Sequence, residues 1–188
     1  NANGSAAEHL AIVCNVAEGR AMTGETTPES IAGKLLGVAG CEVVVVKCGS
    51  LGAAVAEAAS VQRVPAYETE SVWPIGSGDV FAAAFAYEWA VKGTGAFDAA
   101  AVASKATAVY CETRLLIFQA PFPASFEKRP LPVGGRDKPK VVYLAGPFFS
   151  IGQIWLVNEA RAALSSQGFK VFSPLHHVGR GPAEQVFG

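Results

Sequence analysis

Four consecutive β-branched residues, Val43-Val44-Val45-Val46, do most to limit what this chain can fold into. A strand with one wet face alternates apolar and polar residues, so a run without alternation needs apolar cover on both faces. Residues 42–47 are therefore expected to form an inner strand. Upstream, residues 10–14 are an apolar run of strand length, and residues 15–24 follow with helix-like spacing closed by Gly24. Thr27 can cap a further helix that Pro28 and Glu29 begin, with Ile31, Leu35 and Leu36 on its apolar face and an end near residues 37–40. Helix, buried strand and then glycine turn is the pattern of an α/β layer fold.

The second constraint is the turn Pro74-Ile75-Gly76-Ser77-Gly78-Asp79, which runs into an apolar helical segment over residues 82–91. Glycines flanking a serine let the backbone turn sharply, and the helix behind them leaves its first N–H groups without intrahelical partners. Such donors favour an anion, and Asp79 in the first turn sets a carboxylate beside it. A phosphate cradle next to a carboxylate suggests phosphoryl transfer. Taken alone, the same tetrapeptide is equally a capped loop. It is not a Walker A loop, which needs a lysine and a paired Ser/Thr, and no third glycine or preceding β-branched run completes a dinucleotide fingerprint.

Cys48-Gly49-Ser50-Leu51-Gly52-Ala53 carries glycines three apart, and residues 53–58 read as a short strand or hairpin return. Residues 61–73 are extended and mixed, and the alanine-rich stretch 97–111 reads as a helix that can pack closely. The 188 residues are 51% hydrophobic and 16% charged, enough apolar mass for a buried core and against disorder. Net charge is -1 with scattered Lys and Arg, which does not indicate nucleic-acid binding. There is no apolar run of membrane-spanning length and no signal-peptide pattern, so the expectation is a cytoplasmic protein. Cys14, Cys41, Cys48 and Cys111 include no C-x-x-C pair and read as reduced thiols in or beside apolar segments. The first residue is not methionine and the last follows a strand-like segment, so the chain reads as cut at both ends.

Composition shifts after residue 118. Pro121, Pro123, Pro130, Pro132 and Pro139, with Gly134-Gly135 and a cluster of charges, read as an extended, semi-rigid linker over residues 119–139. Domains are expected at 1–118 and 140–188. In the second, residues 141–145 read as a strand, Gly146-Pro147 as a turn, 155–167 as a helix closed by Gly168, and 169–172 as another strand: the first β-α-β unit of a Rossmann-like or flavodoxin-like domain. His176-His177 reads as a solvated loop pair, because neighbours in a strand point to opposite faces. Glu159 reads as surface, and Trp89 and Trp155 as core or interface aromatics.

Three pieces of the first segment share an order. A strand leads into Asn15-Val16-Ala17-Glu18, the buried strand leads into residues 47–53, and Gly76-Ser77-Gly78-Asp79-Val80-Phe81 follows. In open α/β sheets, ligands collect at the carboxyl ends of strands, where all three fall. This order resembles the C-terminal half of the ribokinase-like (PfkB-type) carbohydrate kinases over residues 8–113. The resemblance implies a ribokinase-like layered sheet with flanking helices and ATP-dependent phosphorylation of a sugar or nucleoside hydroxyl. It implies Asp79 as catalytic base, Gly76, Ser77 and Gly78 as the anion hole, and Gly49 and Gly52 near the nucleotide. Asn15 and Glu18 would organise Mg²⁺ and phosphate through water. By themselves Asn15 and Glu18 read as a capped, solvated helix start and the two glycines as a simple turn. Where family members carry Asp-Thr-Thr or similar before the glycine turn, this chain has Trp73-Pro74-Ile75.

The second segment resembles the start of a nucleoside 2-deoxyribosyltransferase domain. The residues that carry this are Val142-Tyr143-Leu144-Ala145-Gly146-Pro147-Phe148-Phe149, Trp155, Glu159-Ala160-Arg161, Gly168-Phe169-Lys170-Val171-Phe172-Ser173-Pro174 and Gly179-Arg180-Gly181-Pro182. The resemblance implies a nucleoside pocket at Gly146, Pro147 and Phe148, with the acidic nucleophile beyond residue 188. Three functions are therefore carried forward: a kinase half fused to a transferase-like domain, a catalytically weak kinase-derived nucleotide-binding module that regulates the transferase, and an inactive fragment. The expected partner is a small sugar or nucleoside, without nucleic acid or membrane, in a possible homo-oligomer.

Overall fold

The valine run lies inside strand β2 (Cys41–Lys47), and all four side chains are fully buried. A computed structural model describes residues 7–58, 60–116, 128–133, 140–166 and 168–177. The chain divides into two units, residues 1–134 and 135–188.

In the first unit, β1 (Leu10–Asn15) pairs parallel with β2, while β3 (Ala53–Glu57) and β4 (Ser60–Val64) continue the sheet antiparallel in the order β1-β2-β3-β4. Alternate valines of β2 face opposite helical layers. Val44 and Val46 join Ile31, Ala32 and Leu35 of α2 (Pro28–Leu36). Val43 and Val45 join Phe81 and Phe85 of α3 (Ser77–Ala86) and Ala99 and Ala103 of α4 (Ala96–Thr113). The alanines of α4 let its backbone lie close to its neighbours, which is what an alanine-rich helix offers a crowded layer.

Helix starts follow their caps. The Thr27 side chain accepts from the Ser30 N–H, and Pro28 takes the first helical position. α1 (Val16–Thr23) opens on a capping box between Asn15 and Glu18 and closes on left-handed Gly24, at φ 76°. Gly19 presses α1 against α2, since a Cβ there would lie 2.5 Å from Ile31 Cγ2. The residues 82–91 expected as one helix are divided: α3 gives way to a π-helical turn over Tyr87–Val91. There the buried Glu88 carboxylate accepts from Lys92 Nζ at 2.8 Å and from the Thr94 hydroxyl at 3.3 Å, and its carbonyl accepts from Thr94 N–H at 3.0 Å. Satisfying a buried carboxylate outweighs the regular ladder locally.

On the α2 side of the sheet, Arg63 Nε donates to Glu29 Oε1 at 2.7 Å, and Nη1 lies 3.3 Å from the Cys48 thiol. Burial pushes the Cys48 thiol above its ordinary range despite the guanidinium. All four cysteines are free thiols; Cys14 and Cys48 are buried, Cys41 and Cys111 partly so. Residues 128–133, within the proline-rich stretch, lie on the first unit: Leu131 N–H donates to the Ala66 carbonyl at 2.8 Å, Glu68 N–H to that of Arg129 at 2.9 Å, and Lys128 pairs with Glu112.

In the second unit, β5 (Val141–Tyr143) and β6 (Lys170–Phe172) pair in parallel across α5 (Ile151–Ser166). α5 begins four residues before the expected residue 155, because Gln153 Oε1 accepts from the N–H groups of Phe149 and Ser150 while Ser150 Oγ accepts from Gln153 N–H. That reciprocal box outweighs the cost of Gly152 in the first turn. His176 and His177 correct the loop expectation: both lie on a short helix, α6 (Pro174–His177). His176 Nε2 sits 2.9 Å from Asn158 Oδ1, and the His177 ring stacks on Phe172 at 4.6 Å. Glu159 is exposed, as expected, whereas Trp155 is 62% exposed and takes no part in this unit's core. Gly179-Arg180-Gly181-Pro182 lie outside the described residues. Among the described residues, no helix is long and apolar enough to cross a membrane.

The Arg63 hydrogen bond lowers the Glu29 pKa from its ordinary value. A depressed carboxylate adds stability above its unfolded pKa and loses it as pH falls through the folded value. Arg63→Met should therefore destabilise the protein at pH 7, and the gap in urea midpoint from the unsubstituted chain should narrow and close as pH falls below the ordinary glutamate range and through the depressed pKa of Glu29. A gap that stays constant with pH would mean that only the packing of the Arg63 stem matters.

Candidate active site

Two strand ends and one helix start build the site. Asn15 and Lys47 are register partners at the carboxyl ends of β1 and β2, and the N-terminus of α3 is brought to them. Gly76 caps α3 in the left-handed conformation, φ 81°, which an L-residue adopts only under strain. A Cβ at Gly76 would also lie 2.8 Å from Tyr110 Oη, so the position demands glycine twice.

The turn is held from α4. Tyr110 Oη donates to the Ile75 carbonyl at 2.8 Å, Trp73 N–H donates to the Cys111 carbonyl at 3.0 Å, and the Arg114 guanidinium lies 4.2 Å over the Trp73 ring. Ser77 Oγ donates to the Pro74 carbonyl at 2.7 Å, closing the turn on itself. Asp79 is exposed in the first turn of α3, with its N–H donating to the Gly76 carbonyl at 3.1 Å. Beside it opens an apolar cleft of about 610 Å³, running from Gly76 and Asp79 along α3 to Tyr87 and Glu88, with Tyr110 of α4 on its wall.

The expected residues divide by what their geometry does. Asn15 Oδ1 accepts from Glu18 N–H at 2.8 Å, and Glu18 Oε2 accepts from Asn15 N–H at 2.8 Å, so both serve as a helix cap at the strand end. Among the described residues, no group of three or more His, Cys, Asp or Glu side chains could hold a metal directly. Hard oxygens on a single exposed capping box suit an ion held through water. Gly49 and Gly52 bound a one-turn 3₁₀ segment between β2 and β3. Gly52 has φ +81°, and a Cβ there would lie 2.0 Å from the Val64 carbonyl oxygen, so backbone crowding requires it. Gly146, Pro147 and Phe148 follow β5 in the second unit, where a Cβ on Gly146 would lie 3.0 Å from Val157 Cγ2.

Lys47 and Tyr110 are the residues that sequence reasoning left out. Lys47 Nζ donates to the Gly78 carbonyl at 3.2 Å across 31 positions. Its place two residues before Gly49, at the end of the valine strand, was a usable signal; nothing in the alanine-rich helix marked Tyr110.

The profile of the pfkB family carbohydrate kinases matches residues 8–122, more than half of the chain, and the chain belongs to that family. No curated protein matches. Among solved structures, a PfkB protein from Polaromonas sp. is 31% identical over 52% of this chain and 31% of its own, with a TM-score of 0.44. A ribokinase from Thermotoga maritima is 27% identical over 54% of this chain and 35% of its own, TM-score 0.49. An adenosine kinase from Sinorhizobium meliloti is 22% identical over 54% and 30%, TM-score 0.48. The chain thus spans about a third of the length of these structures.

Gly76→Ala should cost more than about 2 kcal/mol, read as a lower urea midpoint, by combining left-handed strain with the clash at Tyr110. Adding Tyr110→Phe should recover part of that loss, because the crowded hydroxyl is removed while the strain stays. Strict additivity of the two changes would contradict this contact.

Proposed function

We propose that this chain is the C-terminal part of an ATP-dependent kinase that phosphorylates a hydroxyl of a small sugar or nucleoside. The observation that carries the reading is Asp79: an exposed carboxylate in the first turn of a helix whose glycine entry is held at the carboxyl end of the sheet, in a chain of the pfkB family. Asp79 takes the proton from the attacking hydroxyl. The turn at Gly76, Ser77 and Gly78 forms the anion hole for the transferring phosphoryl group, with the Ser77 N–H, which otherwise donates to the Pro74 carbonyl at 3.2 Å, turning to the phosphate, and positioning of this kind supplies most of the catalysis. Gly49 and Gly52 shape the turn beside the nucleotide. Asn15 and Glu18 would hold Mg²⁺ through water, and the ion would supply neutralisation of phosphate charge.

The kinase part spans residues 1–118, followed by a linker over 119–139 and the opening of a nucleoside 2-deoxyribosyltransferase-like, Rossmann-like domain over 140–188. Parallel β5 and β6 around α5 support that second assignment, with Gly146, Pro147 and Phe148 forming a nucleoside pocket at the end of β5. The protein acts in the cytoplasm on small molecules of nucleoside or sugar metabolism.

A second reading is a nucleotide-binding module that regulates the attached transferase. Trp73-Pro74-Ile75 favours it, since the Trp73 ring is stacked under Arg114 where family members carry polar groups. The deciding experiment is ADP release by the full-length protein with Mg·ATP and ribose, deoxyribose, hexoses or nucleosides. An acceptor-dependent rate should fall by about 10²- to 10⁴-fold in Asp79→Asn with ATP binding retained. Silence across the panel from folded protein that binds ATP would leave the binding module standing.

A further inference from the structure

Among the described residues, two that are not glycine adopt the left-handed backbone, Ala58 and Arg114. Ala58 stands between Glu57 and Ser60, the paired ends of β3 and β4, where a tight hairpin demands that conformation. Arg114 closes α4 at φ 58° and ψ 15°, its N–H donating to the Tyr110 carbonyl at 2.8 Å. Glycine fills such a helix end at no steric cost, whereas the Cβ of an arginine is crowded there. The helix end uses only the backbone of this residue; what arginine adds is its side chain.

That side chain is committed to the entry of the glycine turn. The guanidinium lies 4.2 Å over the Trp73 ring, and among the described residues no carboxylate pairs with it, whereas Arg63 and Arg129 each have one. Trp73 is half-buried and packs against the cluster of Val80, Ala106 and Tyr110, so its ring joins the end of α4 to the first turn of α3. A planar guanidinium stacked on an indole restrains the ring without needing a counter-charge. Pro74 follows directly, and its carbonyl accepts from both the Ser77 N–H at 3.2 Å and the Ser77 hydroxyl at 2.7 Å. For the Ser77 N–H to leave that carbonyl and meet a phosphoryl group in one defined direction, the Pro74 side of the turn has to stay still.

We propose that Arg114 is a positioning residue for the phosphoryl transfer: stacked on Trp73, it holds Trp73 and Pro74 as the fixed side of the glycine turn while Ser77 moves to the transferring group. This rests on the kinase reading above. Arg114 touches no reacting atom and acts through Trp73. Donors aimed at developing charge lower the barrier only when their direction is fixed, so a loosened turn lowers kcat and leaves the ground-state affinity for ATP almost unchanged. Arg114→Gly, the substitution that suits the backbone best, therefore favours the fold and damages the enzyme.

The test measures thermal unfolding, and turnover with ATP and the acceptor that supports it, for the full-length protein and its Arg114→Gly, Arg114→Lys, Trp73→Leu and doubly substituted Arg114→Gly, Trp73→Leu forms. Arg114→Gly should hold or raise the unfolding temperature while lowering kcat by about 10- to 100-fold, with the KM for ATP within about 3-fold. Arg114→Lys keeps the charge over the ring without the planar stack, so it should recover part of kcat. Trp73→Leu should lose as much kcat as Arg114→Gly, and the double form no more than either. A lowered unfolding temperature in Arg114→Gly, with losses in both kcat and ATP affinity, would make Arg114 a structural cap and overturn the proposal. So would losses that multiply in the double form. If the unsubstituted protein turns over an acceptor and Arg114→Gly keeps its full kcat, this proposal alone falls; if the unsubstituted protein turns over none, the kinase reading falls and takes it along.

Discussion

Burial of the β2 valines on both faces is the constraint from which the first unit follows. Four fully covered β-branched side chains in succession require an apolar layer above and below one strand. α2 supplies one layer through Ile31, Ala32 and Leu35, and α3 with α4 supplies the other through Phe81, Phe85 and the alanines. Because α3 is bound to that second layer, its N-terminus has few places to go. Phe81 lies two residues after Asp79, so the packing that buries the aromatic also sets the carboxylate at the mouth of the turn.

Precision at the turn comes from a different source. Tyr110, Cys111 and Arg114, at the end of α4, fasten Ile75 and Trp73 by two hydrogen bonds and a cation–π contact. The same short stretch has Ile75 69% exposed and Pro74 exposed, with little apolar burial to fix it. Polar contacts from a helix far along the chain do what core packing does elsewhere. Preorganised donors are effective in phosphoryl transfer only when their supports are stiff, so under the proposed kinase function the end of α4 belongs with the turn.

Local signals in the chain were legible where one residue type has one physical use. Thr27-Pro28-Glu29 marked the start of α2, Gly24 the end of α1, and the valine run the inner strand. Where several uses compete, the reading went astray: the regular helix over residues 82–91 yields to a π turn around Glu88, α5 starts early on a Ser150–Gln153 box, and the histidine pair is helical. The candidate site was legible as motifs, with Asp79 and its glycines in place at a helix start. Asn15 and Glu18 proved to cap each other, which serves the helix whether or not an ion is near.

By itself the sequence determined that an inner strand exists, that glycine must stand at residue 76 to enter a helix, and that a carboxylate follows in the first turn, because backbone sterics and hydrophobic period are local properties. Only the tertiary structure decided that Lys47 meets Gly78 and that Tyr110 meets Ile75. Each pair is separated by more than thirty positions. Their distance depends on how a parallel strand pair, a hairpin and two helices stack, and side-chain periodicity carries no information about that sum.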